Sequence, residues 1–337
     1  MALFPVVGRK QPHLRIAWWA IVGVLCLGIF LHLVPFYFMI ITSLKDGFET
    51  VSTPPTLWPQ HPTLSAWKLM VNFVSTGLYQ SPDQNFAVYF WNSIFIAGMT
   101  LLISTPVTAF AAYACSKLLR GPVGRWLFLF FIGTMMIPAV ATLVPTFLLV
   151  NHFPYPVTYV PELPSGDQYP YISLFDTPWS IILPAVFNAI GFLYFKSFFD
   201  TLPDSVINAA RVDGGSEFNI FRRIVLPMSI PVFAVVMSMQ FNAIWDSYLF
   251  PSLTLQSYDK LTMTVAIYRL INAFTQAGAT SSSAALSQAH EAARLAQEGY
   301  TWNGIMVLSI LQSIPVFLVF LISFRYLLSG IRVRGLK

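Results

Sequence analysis

The sequence predicts an all-α integral membrane protein with six transmembrane helices and both termini in the cytoplasm. Of its 337 residues, 56% are hydrophobic and only 10% are charged, whereas a soluble domain carries about 25% charged residues. The chain also contains 30 Phe residues, more apolar surface than a core of this size can hide from water. These observations exclude a water-soluble enzyme and a disordered chain.

Six apolar stretches reach the roughly 20 residues that a transmembrane helix needs. The first is too long for a cleavable signal peptide. Two shorter segments are predicted to lie outside the spans: an interfacial or re-entrant helix at 261–273 and an Ala-rich helix at 281–297. The predicted spans are 16–41, 88–115, 126–150, 179–198, 228–250 and 304–324.

The orientation follows from the basic residues, of which fourteen fall on one side of the predicted spans and five on the other. Because basic residues concentrate on the cytoplasmic side, the N-terminus 1–15 and the tail 329–337 are predicted to be cytoplasmic. This scattered charge is typical of membrane topology, and no nucleic-acid partner is expected. Both cysteines, Cys26 and Cys115, lie in apolar runs, so neither a disulfide framework nor a Cys-based metal site is predicted.

The loop 199–227 between the fourth and fifth spans carries the most specific pattern. Pro203 and Asp204 indicate the start of a short helix, and Gly214 with Gly215 indicates its end. Gly214 is predicted to adopt a positive φ. Small side chains on this helix suit close docking against another protein, although local physics alone equally allows an interfacial helix that packs only on its own bundle.

The spacing within this loop resembles a known motif. From Asn208 the sequence reads Asn-Ala-Ala, three residues, Gly, nine residues, Ile-x-Leu-Pro. It is similar to the coupling-loop signature Glu-Ala-Ala-x3-Gly-x9-Ile-x-Leu-Pro of ABC importer permeases, in particular their MalG-like carbohydrate branch. The motif Glu is replaced by Asn208. The resemblance assigns ATPase coupling to Asn208, Ala209, Ala210, Asp213, Gly214, Phe218, Ile224, Leu226 and Pro227.

The resemblance implies a MetI-like transmembrane domain at 88–328, built from spans two to six, in a multi-pass protein of a prokaryotic cell membrane. The sequence contains no Gly-x4-Gly-Lys-Ser/Thr phosphate loop. The chain is therefore expected to be a permease that is not itself an enzyme and binds no cofactor, with ATP and Mg on a partner ABC ATPase dimer. Further implied partners are a MalF-like second permease and an extracytoplasmic substrate-binding protein, with membrane lipid around the spans.

A sugar or an oligosaccharide is the substrate class that the resemblance implies, with glycerol phosphate and other polyols left open. Candidate pathway residues come from polar groups in the fifth span, where an ionisable side chain is costly. Asp246 shares one helix face with Ser238 and Asn242, and Trp245 and Tyr248 flank it. The alternative is a stripe that holds helices together by hydrogen bonds.

Two rival classes have less support. A secondary transporter requires inverted repeats and several intramembrane charges, and neither is evident here. An intramembrane enzyme requires a nucleophile–base pair or metal ligands. No His-Glu-x-x-His or Gly-x-Ser-x-Gly motif is present, and no metal site is predicted.

Overall fold

The computed structural model describes residues 12–50, 52, 54–68, 86–119, 121–154, 171–276 and 301–332. The predicted Ala-rich helix at 281–297 lies outside these residues. Backbone contacts divide the chain into two units, one of residues 1–72 with 270–311 and one of residues 73–269 with 312–337. In the described part, a single isolated bridge between Phe153 and Ile172 is the sole β-type pairing.

Helices therefore account for nearly all regular structure in the described residues. Two π-helical turns, Ala114–Leu118 and Phe221–Val225, and a 3-10 turn at Tyr258–Lys260 join some of them. The helices are α1 (Pro12–Ser43), α2 (Gly47–Thr50), α3 (Phe86–Tyr113), α4 (Pro122–Met135), α5 (Ala139–Asn151), α6 (Trp179–Ile182), α7 (Ala189–Phe199), α8 (Asp204–Val212), α9 (Glu217–Ile220), α10 (Leu226–Met228), α11 (Ile230–Trp245), α12 (Leu249–Thr254), α13 (Met263–Gln276) and α14 (Trp302–Arg332).

Three helices of the described chain are long and apolar enough to cross a membrane, and five spans result if each of two bent pairs counts as one. The long helices cover Leu14–Ser43, Phe86–Leu118 and Trp302–Tyr326. The bent pairs are α4 with α5, at 97°, and the segment Glu217–Met228 with α11, at 83°. The stretches predicted at 126–150 and 228–250 are thus not straight helices.

The predicted span 179–198 is wrong as a continuous helix, because the structure interrupts it between α6 and α7. Pro184 falls in this interruption and lacks the backbone N–H that a helix interior needs. Asn188 then begins α7 as its N-cap, since its side chain accepts a hydrogen bond of 2.8 Å from the backbone N–H of Gly191. Pro184 therefore ends the first helical segment, and Asn188 begins the second in a new direction.

The core of the larger unit lies where α3, α7 and α11 pack together. Phe192, Phe195 and Phe199 are fully buried on one face of α7. Gly191 allows the close approach of α11, because a Cβ atom there would lie only 2.9 Å from Cγ1 of Val236. Aromatic burial and this close contact fix the helices from which the following loop emerges.

In the smaller unit, hydrogen bonds connect the end of α1 to the start of α14. Asn303 donates from Nδ2 to the carbonyl of Lys45 over 3.2 Å, and the hydroxyls of Thr50 and Thr301 lie 2.9 Å apart. The buried Lys45 donates from Nζ to the carbonyl of Thr56 over 2.6 Å. The polar groups at this helix end therefore have partners, as burial requires.

Candidate functional site

Helix α8 supplies the centre of the loop 199–227. Pro203 precedes it in extended conformation and makes no side-chain cap, so the start depends on the fixed φ of proline and on the charges that follow. Asp204 lies in the first turn and Arg211 in the last. Both positions suit the helix dipole, which favours an anion at the N-terminus and a cation at the C-terminus.

The glycine turn after α8 fixes where the chain goes next. Gly214 has a φ of +79°, which confirms the predicted positive φ. Its N–H donates to the carbonyl of Arg211, and the N–H of Gly215 donates to the carbonyl of Ala210 over 2.9 Å. These paired bonds close the helix end in a Schellman arrangement. Ser216 then caps α9 by accepting from the N–H of Asn219.

The end of α8 is attached to α3 through Arg211 and Glu217. Arg211 Nε donates to Glu217 Oε1 over 2.7 Å, and the hydroxyl of Tyr113 donates to Glu217 Oε2 over the same distance. Arg211 also donates to the carbonyl of Lys117 and to Oδ1 of Asn208. The hydrogen bond from Arg211 lowers the pKa of Glu217, against the opposing effect of burial, and Tyr113 adds to the lowering.

A second attachment holds the beginning of α8. Lys117 is 4% exposed, and its Nζ donates to Oδ1 of Asp204 over 2.7 Å and to the carbonyl of Leu202 over 2.9 Å. Lys117 belongs to the π-helical turn Ala114–Leu118 that continues α3. Helix α8 is therefore attached at both ends to the end of α3. The hydrogen bonds and ion pairs that Tyr113, Lys117, Arg211 and Glu217 make here are together named the α8 brace.

Sequence reasoning did not identify Tyr113, Lys117, Arg211 and Glu217 as functional candidates. Tyr113 and Glu217 are 104 positions apart in the sequence, so no local spacing connects them. One local feature could have indicated part of it. Arg211 in the last turn of one helix and Glu217 in the first turn of the next are separated by a glycine turn, which brings opposite charges together.

The structure divides the nine predicted coupling residues between two faces. Ala210 and Ile224 pack against the buried core, so they support the segment and do not form its outer surface. The remaining residues are exposed, and Phe218 is 59% exposed. The exposed coupling residues are Asn208, Ala209, Asp213, Gly214, Phe218, Leu226 and Pro227.

Two further apolar side chains are exposed on α8. Val206 is exposed, and Val212 is 87% exposed beside the glycine turn. Val206, Ala209 and Val212 on α8 and Phe218 on α9 present apolar side chains to the outside, which gives this segment the character of an interaction surface. Val206, Ala209, Val212 and Phe218 are together named the α8 surface.

The predicted pathway residues are less uniform in position. Trp245 is 2% exposed, its Nε1 donates to the carbonyl of Gln312 over 3.0 Å, and its ring stacks on Phe241. It therefore packs inside the bundle and lines no surface of this structure. Asp246 is exposed and lies just beyond the end of α11, so the expected position inside a longer helix is wrong.

The other three pathway candidates remain partly accessible. Ser238 and Asn242 are half-buried on α11, and Oδ1 of Asn242 is buried without a hydrogen-bond partner among the described residues. Tyr248 stacks on Tyr268 with ring centroids 3.8 Å apart. The pathway interpretation stays a prediction for these residues.

Comparison with known proteins gives consistent matches. A model of the family described as "Binding-protein-dependent transport system inner membrane component" matches residues 104–333. The chain is 27% identical over 308 residues to the maltose/maltodextrin transport system permease protein MalG of Salmonella typhimurium, which covers 90% of each chain. It is 25% identical to the inner membrane ABC transporter permease protein YcjP of Escherichia coli K12, over 93% of this chain and 94% of that one.

A solved structure with the same arrangement of helices is the crystal structure of a bacterial ABC transporter involved in the import of the acidic polysaccharide alginate. The TM-score is 0.68 at 18% sequence identity, and the match covers 97% of this chain and 99% of the other. At this identity the likeness establishes the fold alone.

Proposed function

This chain belongs to the binding-protein-dependent transport system inner membrane components, and on that premise we propose that it is the permease subunit of an ATP-driven importer. It forms half of a translocation path in a prokaryotic cell membrane. We place both termini in the cytoplasm and count six spans, with the interrupted stretch at 179–198 as the fourth. The MetI-like domain covers 88–328, and the segment 199–227 is its cytoplasmic coupling loop.

The observation that carries the proposal is an exposed apolar surface on a braced helix. Most of the α8 surface lies on α8, which Lys117 and Arg211 attach to the end of α3, and Phe218 adds to it from α9. A force applied there by closure of an ATPase dimer passes into a transmembrane helix as a rigid-body displacement. This arrangement supports coupling to a separate subunit that holds ATP and Mg, since the sequence contains no phosphate loop of its own.

Asn208 modifies this coupling. Where the related motif has Glu, Asn208 is exposed and its Oδ1 accepts a hydrogen bond of 3.1 Å from Arg211. A neutral amide at this position leaves the charge of Arg211 to Glu217. We therefore propose that the ATPase partner meets α8 mainly through apolar contacts, without an ion pair at position 208.

A sugar or an oligosaccharide is the proposed substrate class. The support comes from relatives: MalG of Salmonella typhimurium is named for maltose and maltodextrin transport, and the structural neighbour imports alginate. A further solved structure contains a periplasmic protein with bound alginate pentasaccharide. By analogy we propose a second, MalF-like permease and an extracytoplasmic binding protein as partners.

The test places a charge on the α8 surface. In Ala209→Asp an unpaired carboxylate would be buried by the ATPase, at a cost of roughly 3–5 kcal/mol, so the complex should lose the ATPase and ATP-driven uptake. Ala209→Ser is the matched control, since it is small and neutral and should retain both. Co-purification and uptake in proteoliposomes are the measurements. Wild-type ATPase binding and transport by Ala209→Asp would contradict the proposed coupling.

A further inference from the structure

An irregular segment of the smaller unit, residues 54–60, presents two large apolar side chains next to each other. Leu57 is 69% exposed and Trp58 is 67% exposed. The segment reads Pro-Pro-Thr-Leu-Trp-Pro-Gln and contains no charged residue. Single exposed apolar side chains are ordinary on a protein surface, whereas an adjacent pair of this size indicates a contact with another apolar phase.

Hydrogen bonds hold this segment alongside α1. The hydroxyl of Tyr37 donates to the carbonyl of Leu57 over 2.9 Å. The buried Lys45 donates to the carbonyl of Thr56, and the hydroxyl of Thr56 donates to Oε1 of Glu49 over 2.6 Å. Tyr37 belongs to α1, whereas Lys45 and Glu49 follow it. After leaving α1, the chain therefore turns back and runs beside the last turns of that helix.

The contact with Tyr37 sets the depth of the segment along α1. Tyr37 lies six residues before Ser43, the last residue of α1, which is about 9 Å along the axis. Towards the other end, Trp18 and Trp19 form an edge-to-face pair. Trp19 and Tyr37 are 18 residues apart, about 27 Å along the helix. This distance is close to the roughly 30 Å thickness of the hydrocarbon core, at whose two boundaries Trp and Tyr concentrate.

The surface of α1 at this depth is itself uncovered and apolar. Only 6% of the apolar window of the span Leu14–Ser43 is buried inside the chain. Leu33, one turn deeper than Tyr37, is 58% exposed, and Phe36 is 54% exposed. A helix with this surface requires lipid along its length. Leu57 and Trp58 continue that surface at the level of Tyr37.

We propose that residues 56–58 form an interfacial anchor, in which Leu57 and Trp58 insert into lipid at the boundary between headgroups and acyl chains. An indole ring suits this boundary, because it combines a large apolar surface with one N–H donor. The partner is the uncharged part of the phospholipid, since the segment offers no charge to a headgroup. The inference requires that α1 crosses the membrane and does not depend on which solute is transported.

The first experiment uses the assembled transporter in liposomes of phosphatidylcholine with bromine either near the headgroup end or near the terminal end of the acyl chains. Bromine quenches tryptophan on contact, so the difference between wild type and Trp58→Phe gives the quenching of Trp58. Trp67→Phe is the matched control, because Trp67 is half-buried and its Nε1 donates to Oγ of Ser43 at the end of α1. Trp58 should be quenched more by bromine near the headgroups than by bromine near the chain ends, and Trp67 by neither.

Each other result contradicts the anchor. If neither lipid quenches Trp58, its ring faces water or is covered by another subunit, and the proposal is overturned. If bromine near the chain ends quenches Trp58 as strongly as bromine near the headgroups, the ring does not lie at the boundary that the contact with Tyr37 defines. Equal quenching of Trp58 and Trp67 would show that lipid contact is not specific to this segment, which also overturns the proposal.

A second experiment leaves Trp58 in place. In a background in which Cys26 and Cys115 are replaced by Ala, Leu57→Cys carries a nitroxide label, and collisions with oxygen and with a water-soluble nickel chelate are measured. Oxygen concentrates in lipid and the chelate in water. His61→Cys is the matched control, because His61 is exposed on the same stretch of chain outside the anchor. The ratio of oxygen to nickel collisions should be several-fold higher at position 57 than at position 61, and equal ratios would overturn the anchor.

Discussion

Removal of the Tyr113 hydroxyl from the α8 brace should weaken the attachment of the loop 199–227 without disturbing the core. In Tyr113→Phe the ring keeps its edge contacts with Phe199 and Phe221, while Glu217 loses a hydrogen bond of 2.7 Å. A hydrogen bond to a charged acceptor contributes about 1.5–3 kcal/mol. Because Glu217 is 40% exposed and keeps Arg211, solvent screening reduces the expected loss to about 1 kcal/mol.

A loss of about 1 kcal/mol changes the ratio of braced to released segment about fivefold. Hydrogen exchange on the purified transporter measures that ratio at the N–H groups of Gly214 and Gly215, which close the end of α8. Their exchange should accelerate about fivefold, and binding-protein-stimulated ATP hydrolysis should become less tightly coupled to uptake. Tyr194→Phe, at an exposed tyrosine of α7, is the matched control and should change neither. Exchange at wild-type rates in Tyr113→Phe would refute the argument that the hydroxyl orders the segment.

Two further predictions concern backbone and charge. Gly214→Ala places a side chain at a φ of +79° and should cost about 1 kcal/mol, seen as weaker retention of the ATPase; a fully retained ATPase would show that the turn tolerates strain. Asp176 is held ionised by hydrogen bonds from Ser257, the backbone of Gln256 and Lys260, which outweigh burial and lower its pKa from 3.8 to about 2. Because the folded pKa is the lower one, its stabilisation is present above about pH 4 and is lost as the pH falls towards 2. The shift corresponds to at most about 2.5 kcal/mol and to about 1 kcal/mol after screening. The loss of thermal stability between pH 4 and pH 2 should be smaller in Asp176→Asn than in the wild type, and equal losses would contradict the prediction.

Rules about single residues and apolar length were sufficient to predict the local features of the structure. The start of α8 after Pro203 and the positive φ of Gly214 both followed from rules about single residues, and the structure agrees. Apolar length located the helices of the long spans in the same way. The interruption before α7 was missed, because hydrophobicity outweighed Pro184 and the capping side chain of Asn188 in the sequence reading.

Contacts between residues that are distant in the sequence could not be predicted from rules about single residues. Trp245 has the chemistry of a pathway residue, but its ring is buried and its Nε1 donates to the backbone carbonyl of Gln312, 67 positions later. Gln240 lies in an apolar stretch, and no motif or spacing in the sequence singles it out. Only the three-dimensional arrangement shows that Nε2 of Gln240 donates to Ser104, while its Oε1 has no hydrogen-bond partner in the described part of the chain.

The two attachments of α8 also determine how a force on this helix is transmitted to the end of α3. The helix has nine residues and is about 13 Å long, with Lys117 bound near its beginning and Arg211 bound near its end. A helix that is attached at one end can rotate about that end when a force acts on the other. A helix that is attached at both ends resists this rotation, so a force along it acts on the end of α3 to which it is attached. Because α8 is attached at both of its ends, we expect the end of α3 to move with it when the segment is displaced.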